Sequence, residues 1–205
     1  MIVEAVRSRA IDARLVRDDE SGAAMIEMLL CVLMLVIILF GIVEFGTSWK
    51  NKLEVETAVR AGARVGSGLG KDRLADYSLL QSVKSALNKI GMSNVQYVVV
   101  YKSTSANGAV PAECTGSPPT STTGKCNVYS GSMLSSLTQA SFTGTTSCTG
   151  SSPDRFWCPV GRQNVQSAGA DYLGVWVKAD STTLTSFFGS PLKLESRAVM
   201  RLEPK

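Results

Sequence analysis

From Ala23 to Phe45 the chain is nearly continuous apolar surface, 23 residues in which only Glu27 and Glu44 carry charge. At about 1.5 Å per residue this makes roughly 35 Å of helix, enough to cross a hydrocarbon core of about 30 Å with some tilt. The run exceeds the ~7–15 apolar residues of a secretory signal, and Glu44-Phe45-Gly46 follows it instead of an Ala-x-Ala pattern. Cys31 follows Leu29-Leu30 and precedes further apolar residues, so it reads as a small packing residue and not as a lipid attachment point. A transmembrane helix is therefore predicted over 23–45.

The helical period continues past the apolar run. Lys52, Glu56, Arg60 and Arg64 recur every fourth residue as a charged ridge, with Val55, Ala58, Val59, Gly62 and Val65 on the other side. This predicts an amphipathic extension of the same helix over 46–66. Its small-residue face can cover the protein's own domain, meet a partner, or both. Gly66-Ser67-Gly68-Leu69-Gly70 reads as a hinge. A second helix is predicted from Asp72 to Ile90, with Leu79, Leu80, Val83, Leu87 and Ile90 on one face and Gly91 as its stop.

Three strands follow from composition and alternation. Val95 to Lys102 (VQYVVVYK) is dense in β-branched and aromatic residues and reads as a buried strand, and Asp171 to Ala179 (DYLGVWVKA) is a second. From Leu192 to Glu203 apolar and charged residues alternate, with Leu192, Leu194, Ala198, Met200 and Leu202 predicted inward, as in an antiparallel sheet lying on a helix. Between them, residues 103–170 lose periodicity in Ser, Thr, Gly and Pro. A short helix is expected around Met133 to Leu137, and a turn or short helix over Leu184 to Phe188. The fold class is α+β: a long helix, then a head over 67–205 with a small antiparallel sheet. Residues 1–22 alternate charge with small apolar groups and read as a hydrophilic leader.

Composition narrows the chemistry. A net charge of +4, with basic residues scattered along the chain, gives no nucleic-acid surface. Histidine is absent, which removes Ser-His-Asp and Cys-His catalysis and the commonest metal ligand. Besides Cys31 the cysteines are Cys114, Cys126, Cys148 and Cys158, without Cys-x-x-Cys spacing. Such an even set, in a Ser/Thr/Gly-rich stretch, predicts two disulfides stapling 103–170. The sequential pairing Cys114–Cys126 and Cys148–Cys158 is preferred, with three connectivities open. Disulfides need an oxidising compartment, so the head belongs outside the cytoplasmic membrane and the amino-terminal segment inside. Flanking charge does not decide orientation: Arg7, Arg9, Arg14 and Arg17 balance Lys50, Lys52, Arg60 and Arg64.

Motif-like stretches fail on their details. Gly70-Lys71 lacks a glycine five residues earlier and has Asp72 where a phosphate loop needs Ser or Thr. Ser190-Pro191-Leu192-Lys193 has Ser-x-x-Lys spacing, but Pro191 opens a strand, not the helical turn that stacks the two side chains. SPDRFWCPVGR gathers Phe156, Trp157 and Arg162 around a cysteine and reads as a disulfide-covering cluster, with a recognition surface as the alternative. No enzyme, cofactor or metal is expected.

Three stretches carry a resemblance: GAAMIE (Gly22–Glu27) opening the membrane run; FGIVEFG closing it and leading to AVRAGARVGS; and the terminal LESRAVMRLEP. The first looks like the processing site of type IV prepilin-like proteins, and together they resemble the TadE-like family of minor pilins or pseudopilins of tight-adherence (Flp) pilus systems. Met28 stands where that family often has Phe. The resemblance implies cleavage between Gly22 and Ala23 by a prepilin peptidase. It also implies a single-pass protein in membrane lipid, working with a major pilin, other minor pilins, inner-membrane platform proteins and a secretion ATPase. It assigns Glu27 the role of pairing, in the assembly, with the new terminal ammonium of a neighbouring subunit. A second reading is a membrane-anchored extracytoplasmic binding protein without an assembly role. A membrane-tethered enzyme is the third.

Overall fold

The computed structural model describes residues 2–165, 167, 169–181 and 192–204, with side chains from Gly22 onward. The turn expected over Leu184–Phe188, and Ser190 and Pro191 of the rejected motif, lie outside the described residues. The chain divides into two units, residues up to Gly46 and residues from Thr47 on. Helix α1 spans Ile2–Leu69 and so contributes to both. In the first unit its side chains from Gly22 to Val43 are almost all exposed, as an apolar helix in search of lipid or protein must be. It is long and apolar enough to cross a membrane and fits a single-pass anchor.

The second unit is a four-stranded antiparallel sheet with helices on one face. β1 (Val95–Ser103), β2 (Cys126–Ser130), β3 (Tyr172–Asp180) and β4 (Lys193–Arg201) lie in the order β2-β1-β3-β4. Even-numbered Val98 and Val100 of β1 and odd-numbered Leu173, Val175 and Val177 of β3 face the helices. There they meet Val55, Ala58, Val59 and Ala63 of α1, Leu79, Leu80 and Val83 of α2 (Ala75–Ala86) and Leu87 just after it, all essentially sealed from solvent. The small-residue face of α1 thus covers the protein's own core. Val99, Tyr101 and Trp176 on the opposite sheet face are covered in turn by Val110, Cys114 and Cys126. That second cover explains why β1 reads as a continuous apolar run: both its faces are buried. Tyr101 lies across Gly174 of β3, where any Cβ would strike its ring.

Four expectations are corrected. The glycines after Val65 do not form a hinge: α1 continues to Leu69, and only Gly70, at φ 58°, takes the left-handed conformation that ends it. Gly62 and Gly66 serve close packing instead. A Cβ on Gly66 would come 2.5 Å from Leu79 Cδ1, and one on Gly62 would strike Val83. The second helix is shorter than predicted, because Leu87–Ile90 forms turns that still bury Leu87 and Ile90 before Gly91 at φ 86°. Leu192 precedes β4 and is 58% exposed, whereas Leu194 and Leu202 are buried as expected. Finally, the irregular stretch contains β2, followed directly by α3 (Gly131–Ser136), whose Ser130 cap accepts from the Met133 amide. Five residues with an inward-facing Asn127 carry too little apolar alternation to announce a strand.

Candidate processing and assembly segment

Gly22, Ala23 and Glu27 occupy consecutive turns of α1. A Cβ added at Gly22 meets no atom within 4 Å, so packing among the described residues gives no reason for a glycine there. In a helix interior glycine costs about 1 kcal/mol relative to alanine. Glu27 is exposed among Met25, Ile26, Met28 and Leu29, each more than 60% exposed. Its neighbours one turn away are Ala23, Ala24, Leu30 and Cys31, none of which can pair with a carboxylate. Among the described residues no ion pair reaches Glu27. An acidic side chain in mid-membrane costs about 2.5–3.5 kcal/mol, less near the interface.

The four downstream cysteines lie in the second unit and pair sequentially, Cys114 with Cys126 and Cys148 with Cys158. The first bridge is sealed in the outer-face core; the second is half-buried. Cys31 is a free, exposed thiol within the apolar stretch.

Around the second bridge lies a polar centre that sequence reasoning missed. Arg162 is fully buried and its Nη2 donates to Asp76 Oδ1 at 2.6 Å and to the Trp157 carbonyl at 3.1 Å. Its guanidinium stacks 4.1 Å from the Trp157 ring. Asp76 Oδ2 also accepts from Tyr129 Oη and from Asn127 Nδ2, both at 3.0 Å. Burial pushes the Asp76 carboxyl above its ordinary value, against the opposing pull of Arg162. The Tyr129 hydroxyl is held well above its ordinary value by burial and by the Asp76 charge. Beside this group Arg73 reaches Asp154 at 2.5 Å and Ser152 at 2.9 Å, fastening the stapled loop to the start of α2. Trp157 and Arg162 tie that loop into the core. One signal pointed there: Asp76 shares the apolar stripe of α2 with Leu79, Leu80 and Val83, and a carboxylate on a buried stripe needs a cation.

The outer face of the sheet carries two open grooves that meet at Lys178. One, of about 490 Å³, lies between Val110 and Arg197; the other, of about 550 Å³, lies between Pro118 and Lys193. Among the described residues no group of three or more His, Cys, Asp or Glu is placed to hold a metal ion.

No curated protein and no solved structure matches the chain. Residues 22–64, from the glycine that opens the apolar run to the end of the charged ridge on α1, match the model of the TadE-like protein family.

Proposed function

We propose that the chain is a minor pilin- or pseudopilin-like structural component of a tight-adherence (Flp, type IVb-like) pilus. A prepilin peptidase cuts it between Gly22 and Ala23, and it acts in pilus assembly, adhesion or secretion. The observation that carries this reading is the extent of the family match, which begins at Gly22 and takes in Glu27 and the whole apolar run. A glycine without a packing role and a carboxylate without an ion-pair partner among the described residues support it, since both then answer to other proteins. The peptidase meets the first. The second meets the terminal ammonium of a neighbouring subunit, so that each charge has a counterpart instead of lipid. The disulfides support an extracytoplasmic head, and with it a cytoplasmic amino terminus. The major pilin, other minor pilins, the inner-membrane platform and the secretion ATPase are the partners this reading requires.

The test is the mass of the protein extracted from membranes. Loss of residues 1–22 is expected, and the Gly22→Leu variant is expected to stay full-length. Because a Cβ at Gly22 meets no atom within 4 Å and leucine is a good helix former, failed trimming of that variant reports on the peptidase and not on a damaged helix. An intact amino terminus in the unaltered protein overturns the proposal. It would favour an anchored binding protein, the reading that the grooves beside Lys178 support.

A further inference from the structure

Nine residues beyond the apolar run, Glu54 presents an unusual carboxylate. It lies on the stripe of α1 formed by Lys50, Leu53, Glu54 and Thr57, and with Ser85, Ala86 and Lys89 it lines an open groove of about 440 Å³. Its side chain is 15% exposed, and its Oε1 lies 4.0 Å from Lys50 Nζ, at the outer limit of an ion pair. Its Oε2 is buried and accepts no hydrogen bond among the described residues. A carboxylate oxygen withdrawn from water without a donor is costly unless a ligand supplies one. Ser85 and Ala86 are the last residues of α2, where the helix carbonyls concentrate negative partial charge. The floor of the groove therefore suits a small cation bearing N–H donors. Its rim has the opposite sign, because Lys50 and Lys89 are both exposed there. Leu53 beside it, and Trp49 one turn earlier, are 48% and 59% exposed, and tryptophan is a side chain that settles at a membrane surface.

We infer that this groove binds the headgroup of a phosphoethanolamine lipid. The primary ammonium donates to Glu54 Oε2 and faces the carboxyl end of α2, while the phosphate lies between Lys50 and Lys89. The charge pattern selects this headgroup over its relatives. A trimethylated choline has no N–H to give Glu54, and a glycerol headgroup brings phosphate but no cation. The inference rests on the apolar run lying in a membrane, which places lipid headgroups a few residues from the groove.

The experiment uses the full chain in detergent micelles, supplied with phosphatidylethanolamine, phosphatidylcholine and phosphatidylglycerol in equal amounts, with retained lipid counted by native mass spectrometry. Ethanolamine lipid is expected to be retained roughly tenfold over choline lipid, the discrimination worth one charge-assisted hydrogen bond. Glu54→Leu abolishes that preference. Lys89→Gln, on an exposed position that leaves the core untouched, lowers retention of ethanolamine and glycerol lipids alike. Equal retention of ethanolamine and choline lipids, a preference for glycerol lipid, or an ethanolamine preference that survives Glu54→Leu overturns the inference. Flotation with vesicles separates the two levels. Protein that floats but shows no headgroup preference refutes the groove alone, and protein that does not float refutes the membrane anchor as well.

Discussion

Arg162 and Asp76 form an ion pair with both side chains sealed from solvent, joining the loop after the second disulfide to the first turn of α2. Breaking such a pair leaves a charge buried without a counterion, which costs about 3–5 kcal/mol. Arg162→Met is therefore expected to lower the thermal midpoint of the purified chain sharply. Asp76→Asn combined with Arg162→Met, which removes both charges and keeps an acceptor for Tyr129 and Asn127, should recover much of the loss. Tryptophan fluorescence through the melt provides the measurement, since Trp157 lies against the guanidinium.

Tyr129 gives the head a defined weakness in alkali. Its folded value is raised above the unfolded one, so the stability it contributes is complete below about pH 10 and is lost as pH climbs through the folded value. Melts between pH 8 and 11 should show a loss of stability that begins near pH 10 and is shallower in Tyr129→Phe. At neutral pH that variant should be weaker by about 1–2 kcal/mol, for the hydrogen bond lost to Asp76.

The glycines of α1 differ in what they tolerate. Gly66→Leu drives a side chain into Leu79 and Leu173 and is expected to cost at least the 1–3 kcal/mol or so typical of overpacking. Gly22→Leu meets nothing and should leave the melting of the head unchanged. Equal destabilisation by both substitutions would contradict the packing of α1 on α2.

The two disulfides should open in order of burial. Cys114 and Cys126 are fully enclosed, whereas Cys148 and Cys158 are half-exposed. Brief treatment with a mild reductant followed by alkylation in denaturant is expected to label the second pair first, with Cys31 labelled in the denatured chain even without reduction.

Glu27→Gln separates residence in the membrane from assembly. The uncharged variant should insert at least as well as the parent, because an acidic group in lipid is unfavourable by about 2.5–3.5 kcal/mol at mid-membrane. Under the proposed function it should nevertheless co-purify less with the pilus or its inner-membrane platform, since a neighbour's ammonium loses its partner. Undiminished co-purification would leave the carboxylate without a role in assembly.

How much of this was legible in the sequence depended on periodicity. The apolar run, the ridge from Lys52 to Arg64, the buried stripe of α2 and strands β1, β3 and β4 all repeat long enough to be read, and all are present. Glycine misled, because its two uses look alike in one dimension. Gly66 seemed to break a helix, yet with Ala58 and Gly62 it forms a fourth-residue series of small side chains, the mark of close helix approach. β2 and the polar centre were illegible for another reason. Asn127, Tyr129 and Arg162 acquire meaning only beside Asp76, and Arg162 is 86 residues away from it along the chain. No local pattern records such a pairing.

The pairing of Ser103 with Tyr172 has a further consequence. The chain leaves β1 after Ser103 and rejoins the sheet in β3 at an adjoining position, having made β2 on the far edge of β1, α3 and both disulfides in between. For the β1–β3 hairpin that whole stretch is one long connection, and the entropy of closing a connection grows only with the logarithm of its length. The register of β1, β3 and β4 is therefore indifferent to how long the excursion is. Chains built on this plan can lengthen or shorten its exposed turns while the sheet and the two helices beneath it keep their places, so long as Asn127, Tyr129 and Arg162 still reach Asp76.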